Sequence, residues 1–104
     1  MISPKGREFR DRVILIARNT TGWIGSKACF GYLQIAIDVY PPDNRRRDLD
    51  NLLKSLLDAL QHAGCYDDDD QLWKITIERF KVVPGGKMII RLSESKPLAE
   101  MEAR

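Results

Sequence analysis

The sequence predicts a small α+β fold in which two helices pack on a short mixed or antiparallel sheet. Three observations predict it. Apolar residues recur at helical spacing near the N-terminus and again in the middle of the chain, and period-two alternation appears on both sides of the second helix. The chain has 104 residues, so a single domain over residues 1–104 is expected.

The first helix is predicted at residues 4–18, after Ser3 and Pro4. Its apolar residues fall on one face, with charged residues opposite, and they are Phe9, Val13, Ile14 and Ala17. Residues 19–30 are predicted to form a loop.

Three strands are predicted around the second helix. GYLQIAIDVY (31–40) alternates apolar and polar residues, which indicates one buried face, and the following PPDN ends the strand. LWKITIERFKVV (72–83) is predicted as a long strand, and KMIIRLS (87–93) as its hairpin partner across a Pro-Gly-Gly turn. Residues 94–104 are interpreted as a polar tail.

The second helix is predicted from Leu49 to Ala63, with Gly64 as its C-cap. Its six leucines cover roughly 140° of the circumference at 100° per residue, and they are Leu49, Leu52, Leu53, Leu56, Leu57 and Leu60. This stripe is wider than packing on one sheet requires, so part of it is expected to face a second subunit.

Composition limits the possible partners and compartments. The net charge of +2 is too small to indicate nucleic acid by itself. Cys29 and Cys65 form no CxxC pair and are predicted to be buried free thiols in a reducing compartment. No apolar run approaches the ~18 residues of a membrane span, and the first residues do not resemble a signal peptide. A cytoplasmic protein without a membrane partner is therefore expected.

Carboxylates gather at both ends of the second helix. Asp48 and Asp50 precede and begin it, directly after Arg45, Arg46 and Arg47. One aspartate could simply cap the helix or complement its positive end. Asp67 to Asp70 follow the helix, where a solvated acidic loop is the plain alternative. Four adjacent like charges near a helix C-terminus also favour a hard cation such as Mg²⁺, although the EF-hand spacing is absent.

The length of the helix decides how such an ion could be bound. About 15 residues span ~22 Å, whereas ligands of one Mg²⁺ lie only a few ångströms apart. Asp50 and Asp69 of one chain would therefore not reach the same ion. An antiparallel pairing of two copies of this helix in a homodimer would bring the two ends together.

Other candidate residues have plainer alternatives. Lys54 lies four residues after Asp50, so it could be an ordinary ion pair or could stabilise charge on a phosphate. His62, the single histidine, is predicted on the surface, which leaves no Ser-His-Asp or Cys-His arrangement and makes a hydrolase depend on a metal. Trp23 and Trp73 are interpreted as packing residues rather than base-stacking platforms.

The segment PDNRRRDLDNLLKSLLDALQHAGCYDDDDQ resembles the signature of the RusA family of Holliday-junction resolvases, homodimeric endonucleases often carried by prophages. The shared pattern is a basic run, D-L-D-N, a lysine four residues after the second aspartate, D-A-L-x-x-A-G, and an acidic pair before glutamine. The match is strong over 41–71 and looser over the flanking strands. One departure is that a strand expected ahead of the first helix is not found in this sequence.

The resemblance implies roles for individual residues. Asp48, Asp50 and Asp69 would be catalytic metal-binding carboxylates, with Asp68 as an acidic neighbour and Lys54 as the catalytic lysine. Arg45, Arg46 and Arg47 would contact DNA phosphates. Mg²⁺ would be the cofactor, with Mn²⁺ as a substitute, and the site would require the homodimer. Because the acidic run has four members, the choice among Asp68, Asp69 and Asp70 rests on counting back from Gln71.

The implied activity is Mg²⁺-dependent resolution of four-way junction DNA by paired nicks, in recombination and repair. The mechanism would be in-line attack of a metal-activated water on a phosphodiester. One alternative is a catalytically inactive dimer that binds branched DNA, a prophage remnant. Another is an acidic-loop protein with a structural Ca²⁺.

Overall fold

The computed structural model describes residues 4–20 and 22–95, with side chains from residue 7 onward. The elements, in chain order, are α1 (Pro4–Asn19), a 3-10 turn (Ala28–Phe30), β1 (Leu33–Tyr40), α2 (Leu49–Ala63), a second 3-10 turn (Asp69–Gln71), β2 (Leu72–Arg79) and β3 (Lys87–Glu94). The α+β class and both predicted helices are confirmed. Most of the tail predicted at 94–104 lies outside the described residues.

The sheet is mixed, with the strand order β2-β1-β3. β2 runs parallel to β1, and β3 runs antiparallel to it. The predicted hairpin between the last two strands is therefore wrong. β1 takes the centre because its alternating residues, from Leu33 to Val39, are all buried. After β2 ends, the chain passes over the end of β1 on its way to β3. Hydrogen bonds from Phe80 N–H to Val39 O (2.8 Å) and from Val83 N–H to Pro41 O (2.9 Å) hold it there.

Two helices were expected to pack on the sheet, but only α2 packs directly on it over a wide area. α2 covers the buried face of β1, and α1 lies mainly against α2. An open groove of about 960 Å³ borders α1, α2, β3 and the end of β1. Leu15 and Ile16 of α1 are each 62% exposed, so α1 buries only part of its apolar surface.

The ends of α2 form for local reasons that the sequence predicts. Asp48 is the N-cap, and Gly64 ends the helix in the left-handed region (φ 90°), where its N–H bonds to Gln61 O and Leu60 O. A side chain at position 64 would be strained in this conformation. Both cysteines are free and buried, as predicted. In residues 4–20 and 22–95, no helix is long and apolar enough to cross a membrane.

Candidate metal and DNA-binding site

The N-terminal end of α2 presents two exposed carboxylates. Asp48 Oδ1 accepts a hydrogen bond from the backbone N–H of Asp50 at 2.9 Å, which satisfies one of the free N–H groups of the first helical turn. The capping role that the sequence allowed for one aspartate thus belongs to Asp48. Capping occupies one oxygen of the carboxylate, and a carboxylate has four acceptor positions. Asp48 can therefore cap the helix and still offer oxygen to a cation.

Lys54 lies one turn further along the same face of α2. Its Nζ is 3.5 Å from Asp50 Oδ2, and both side chains are exposed. An exposed pair at this spacing stabilises a helix by only ~0.2–0.5 kcal/mol. The geometry thus supports the plain alternative of an ion pair, and it also holds a flexible cation beside a candidate metal-binding carboxylate.

The acidic segment after α2 is an ordered turn. Asp68 Oδ1 accepts the N–H of Asp70 (3.2 Å), and Gln71 Oε1 accepts the N–H groups of Asp67 (2.7 Å) and Asp68 (3.0 Å). This reciprocal capping box explains why four like charges can be held in one conformation. All four carboxylates are exposed.

Gln71 also ties this turn to the start of β1. Its Nε2 donates to the carbonyl oxygens of Cys29 (3.0 Å) and Gly31 (2.8 Å). In the sequence, Gln71 served only as a marker from which to count back to Asp69. The positioning role of Gln71 could have been recognised from the sequence. Asp68 is followed three residues later by Gln71, which is the spacing of a capping box.

Tyr66, which directly precedes the acidic segment, connects it to α2. It is buried, and its hydroxyl donates to Leu57 O at 2.6 Å. Burial raises the pKa of Tyr66, and the nearby negative charge of Asp69 raises it further. The phenol therefore stays protonated at neutral pH and keeps donating to Leu57 O.

The arginine run is divided by an internal contact. Arg47 forms a two-pronged pair with Asp43, with Nη1 to Oδ1 at 2.6 Å and Nη2 to Oδ2 at 3.2 Å. Asp43 Oδ1 also accepts the N–H of Arg45 at 2.9 Å. The hydrogen bond from Arg47 is the main reason that the pKa of Asp43 falls to about 2. Neither Arg45 nor Arg46 has an ion-pair partner among the described residues, so these two cations are the ones open to an external phosphate.

The structure does not bring the two acidic groups of one chain together. α2 has 15 residues, which corresponds to ~22 Å between its ends. Within residues 4–20 and 22–95, no three His, Cys, Asp or Glu side chains are grouped closely enough to hold an ion. Asp48 and Asp50 therefore form one half of a candidate site, and the turn containing Asp68 and Asp69 forms the other.

Two further predictions concern residues outside this site. His62 is exposed, as predicted, and its Nδ1 lies 3.1 Å from Asp58 O. Trp23 is partly buried against the core, with its Nε1 donating to Cys65 O at 2.8 Å. Trp73, by contrast, is 40% exposed and contacts Tyr32.

Comparison with known proteins now identifies the family of this chain. The family model described as Endodeoxyribonuclease RusA matches residues 1–93. The chain belongs to the RusA family. A relative from Enterobacteria phage HK97 is 44% identical over 93 residues, which cover 89% of this chain and 75% of the relative. Relatives from Shigella sonnei (strain Ss046) and Escherichia coli (strain K12) are 38% and 37% identical over the same shares.

All three relatives are named crossover junction endodeoxyribonuclease RusA. The resemblance found in the sequence is thereby confirmed, and with it the assignment to a family of DNA endonucleases. The RusA match runs through α1, the sheet and both halves of the candidate site.

Proposed function

We propose that this protein is a Mg²⁺-dependent, structure-specific endonuclease that resolves four-way DNA junctions as a homodimer, in recombination and repair. The observation that carries the proposal is the division of exposed carboxylates between the two ends of α2, next to a free pair of arginines. Membership of the RusA family supplies the reaction class.

The donor set fits a hard divalent cation. Asp48, Asp50 and Asp69 would hold Mg²⁺, with Asp68 as a neighbouring acidic group and Mn²⁺ as a substitute. Exposed aspartate oxygens are the ligands that Mg²⁺ prefers, and it commonly retains several waters and phosphate oxygens. When bound, the ion would supply a nucleophile from water at neutral pH and would offset negative charge on the phosphate.

The chain's own residues orient the DNA and stabilise charge. Arg45 and Arg46 would bind backbone phosphates on either side of the cleavage site, so affinity should fall with salt. Arg47, which is paired with Asp43, would hold the loop in the conformation that presents Arg45 and Arg46 to the DNA. The ammonium group of Lys54, beside Asp50, would stabilise the negative charge that develops on the phosphate during in-line displacement.

A second copy of the chain is needed to complete each site. Antiparallel pairing of two α2 helices about a two-fold axis would place Asp48 and Asp50 of one protomer beside Asp68 and Asp69 of the other. Two symmetric sites would then serve opposite strands of a two-fold symmetric junction.

The apolar surface open to such pairing differs from the one expected. Leu56, Leu57 and Leu60 of α2 are already buried within the chain. Beside α2, however, Ile75 of the edge strand β2 is 41% exposed, although its neighbour Ile35 on the same face is 1% exposed. The proposed interface therefore includes the uncovered edge of β2 together with α2.

Subunit complementation tests the composite site directly. Asp50→Asn and Asp69→Asn variants are each expected to lose Mg²⁺-dependent cleavage of a labelled four-way junction. After mixing and subunit exchange, about half of the dimers should be heterodimers, and each of these has one intact site built from the two unmutated halves. Nicking should therefore return in the mixture, mainly as single rather than paired cuts.

The matched control is a mixture of Asp48→Asn and Asp50→Asn proteins. These two residues lie in the same half of the site, so no heterodimer regains an intact pair and activity should stay absent. Complementation in neither mixture would contradict the composite site. Junction binding by the wild-type protein without any cleavage would instead indicate an inactive binding protein.

A further inference from the structure

Two aromatic pairs lie at opposite ends of the sheet; Tyr32, Trp73 and Phe80 are exposed, and Tyr40 is half-buried. Tyr40 and Phe80 stack with ring centroids 5.2 Å apart and planes inclined by 19°. Tyr32 and Trp73 lie 4.1 Å apart and are tilted by 44°. Because β1 and β2 are parallel, the first pair lies where both strands end and the second where both begin. Each pair packs across two strands, so packing alone does not distinguish them.

The surrounding charge does distinguish them. Lys87 Nζ lies 5.6 Å from the Tyr40 ring centroid, and Lys81 directly follows Phe80. The Tyr32–Trp73 pair instead adjoins the acidic turn, because Gln71 connects that turn to Gly31 and directly precedes β2.

The Tyr40–Phe80 pair is partly exposed and lies on hydrogen-bonded strand ends. Tyr40 follows the buried Val39 in β1, so it projects to the opposite side of the sheet, which no described helix covers. The hydrogen bond from Phe80 N–H to Val39 O (2.8 Å) fixes the strand ends that carry both rings. Phe80 remains 37% exposed.

The acidic residues on this face do not cancel the positive charge. Asp38 and Glu78 lie one row further from the strand ends, paired in register. Arg91 Nη1 donates to Asp38 Oδ2 at 2.9 Å, so the negative charge of Asp38 is offset by a positive one. An aromatic stack bordered by lysines and followed by an arginine run has the chemistry of a single-stranded DNA surface, where bases stack on rings and cations take the phosphates.

We propose that Tyr40 and Phe80 form a stacking platform for a base whose stacking is interrupted at the branch point of the junction, with Lys81 and Lys87 binding the flanking phosphates. This inference rests on the proposed junction-resolving function and adds to it a reason for preferring branched DNA. A linear duplex keeps its bases stacked on one another and has none to offer the platform. The DNA-binding arginines recognise charge alone and do not make this distinction.

Two measurements test the platform without cleavage, with the full chain in EDTA. The first compares Phe80→Leu with wild type for binding to a synthetic four-way junction and to a linear duplex. The expected loss is about 5- to 100-fold for the junction, with duplex affinity within about twofold. The second uses junctions with 5-iodouracil at the branch point, where photocrosslinking should attach DNA to Tyr40 or Phe80.

The matched control is Trp73→Leu, which removes a ring from the pair at the acidic end. It should keep junction affinity within about twofold of wild type, with sedimentation confirming the same oligomeric state. Equal losses in the two variants, an unchanged Phe80→Leu affinity, or crosslinks confined to other residues would each overturn the platform. Equal wild-type binding to duplex and junction would also overturn the platform, whereas absence of Mg²⁺-dependent junction cleavage by the wild-type protein would overturn the junction-resolving function itself, which is a separate result.

Discussion

Asp48 Oδ1 accepts the backbone N–H of Asp50 at 2.9 Å, so two candidate metal-binding residues are joined by the contact that begins α2. The cap fixes the orientation of one carboxylate relative to the helix that carries the other. It also means that a structural role and a chemical role coincide in Asp48. Conservative and truncating substitutions can separate these roles.

Asp48→Asn is expected to keep the fold and lose the reaction. Asparagine caps a helix about as well as aspartate but lacks the carboxylate charge through which proteins usually bind Mg²⁺. Asp48→Ala should lose the cap as well, at about 1 kcal/mol of unfolding free energy. Urea denaturation measures the first effect, and Mg²⁺-dependent junction cleavage measures the second. Residual cleavage by Asp48→Asn close to the wild-type rate would contradict a ligand role for Asp48.

Lys54→Gln should slow cleavage by about 10²–10³-fold, the range seen when one group that stabilises transition-state charge is removed. Its ion pair with Asp50 is exposed, so the free energy of unfolding should change by less than about 0.5 kcal/mol. Lys54→Arg keeps the positive charge and should retain more activity than Lys54→Gln. Junction affinity in EDTA should be unchanged in both variants. If affinity falls in parallel with the rate, Lys54 binds DNA rather than assisting the chemical step.

Gln71→Ala is expected to loosen the acidic turn. Four hydrogen bonds of this side chain would be lost, two to N–H groups within the turn and two to the carbonyls of Cys29 and Gly31. The unfolding free energy should fall by ~1–3 kcal/mol, and the Mg²⁺ concentration for half-maximal cleavage should rise. Gln61→Ala, which removes only the bond to Asp67 O (2.8 Å), is the matched control and should have a smaller effect. Equal Mg²⁺ requirements in the two variants would show that Gln71 does not position the carboxylates.

The free arginines and the paired one should differ in their response to salt. Arg46→Gln should weaken junction binding and lower the slope of log affinity against log salt concentration by about one. Arg47 is held by Asp43, so Arg47→Gln should change the slope less. Titrating salt from 50 to 200 mM on one junction compares the two directly. A larger change in slope for Arg47→Gln would mean that DNA displaces Asp43 from Arg47.

Local signals predicted the helices well because their causes are local. The cap at Asp48 and the left-handed Gly64 each depend on residues within one turn of the helix end. Strand pairing has no such local cause. A Pro-Gly-Gly turn between two apolar segments suggested a hairpin, but the more continuously buried β1 occupies the centre of the sheet. Periodicity does not reveal which strand will be central.

In the candidate site, too, some residues could be identified from the sequence and others could not. The carboxylates and arginines could be identified in the sequence because their residue types carry the chemistry. Their supports could not, since Tyr66 reaches back to Leu57 and Gln71 reaches across to Cys29. Likewise, the sequence did not indicate that Asp43 would form an ion pair with Arg47. A single aspartate in a basic loop belongs to no recognisable sequence motif.

The Asp43–Arg47 pair should be visible in a pH titration. The pKa of Asp43 lies at about 2, below its ordinary 3.8, mainly because Arg47 donates to the carboxylate. A lowered folded-state pKa means that the contribution of this pair to stability is present above the ordinary value and is lost as pH falls from about 4 to 2. Carbon-detected NMR of the Asp43 carboxyl should give a midpoint near 2.

In Arg47→Gln the midpoint should rise toward 3.8 but remain below it, because Arg45 still donates its N–H. Arg46→Gln, which removes a charge from the same run without breaking a bond to Asp43, should leave the midpoint unchanged. If both variants raise it equally, the general positive field of the loop lowers this pKa, and the specific contact with Arg47 does not.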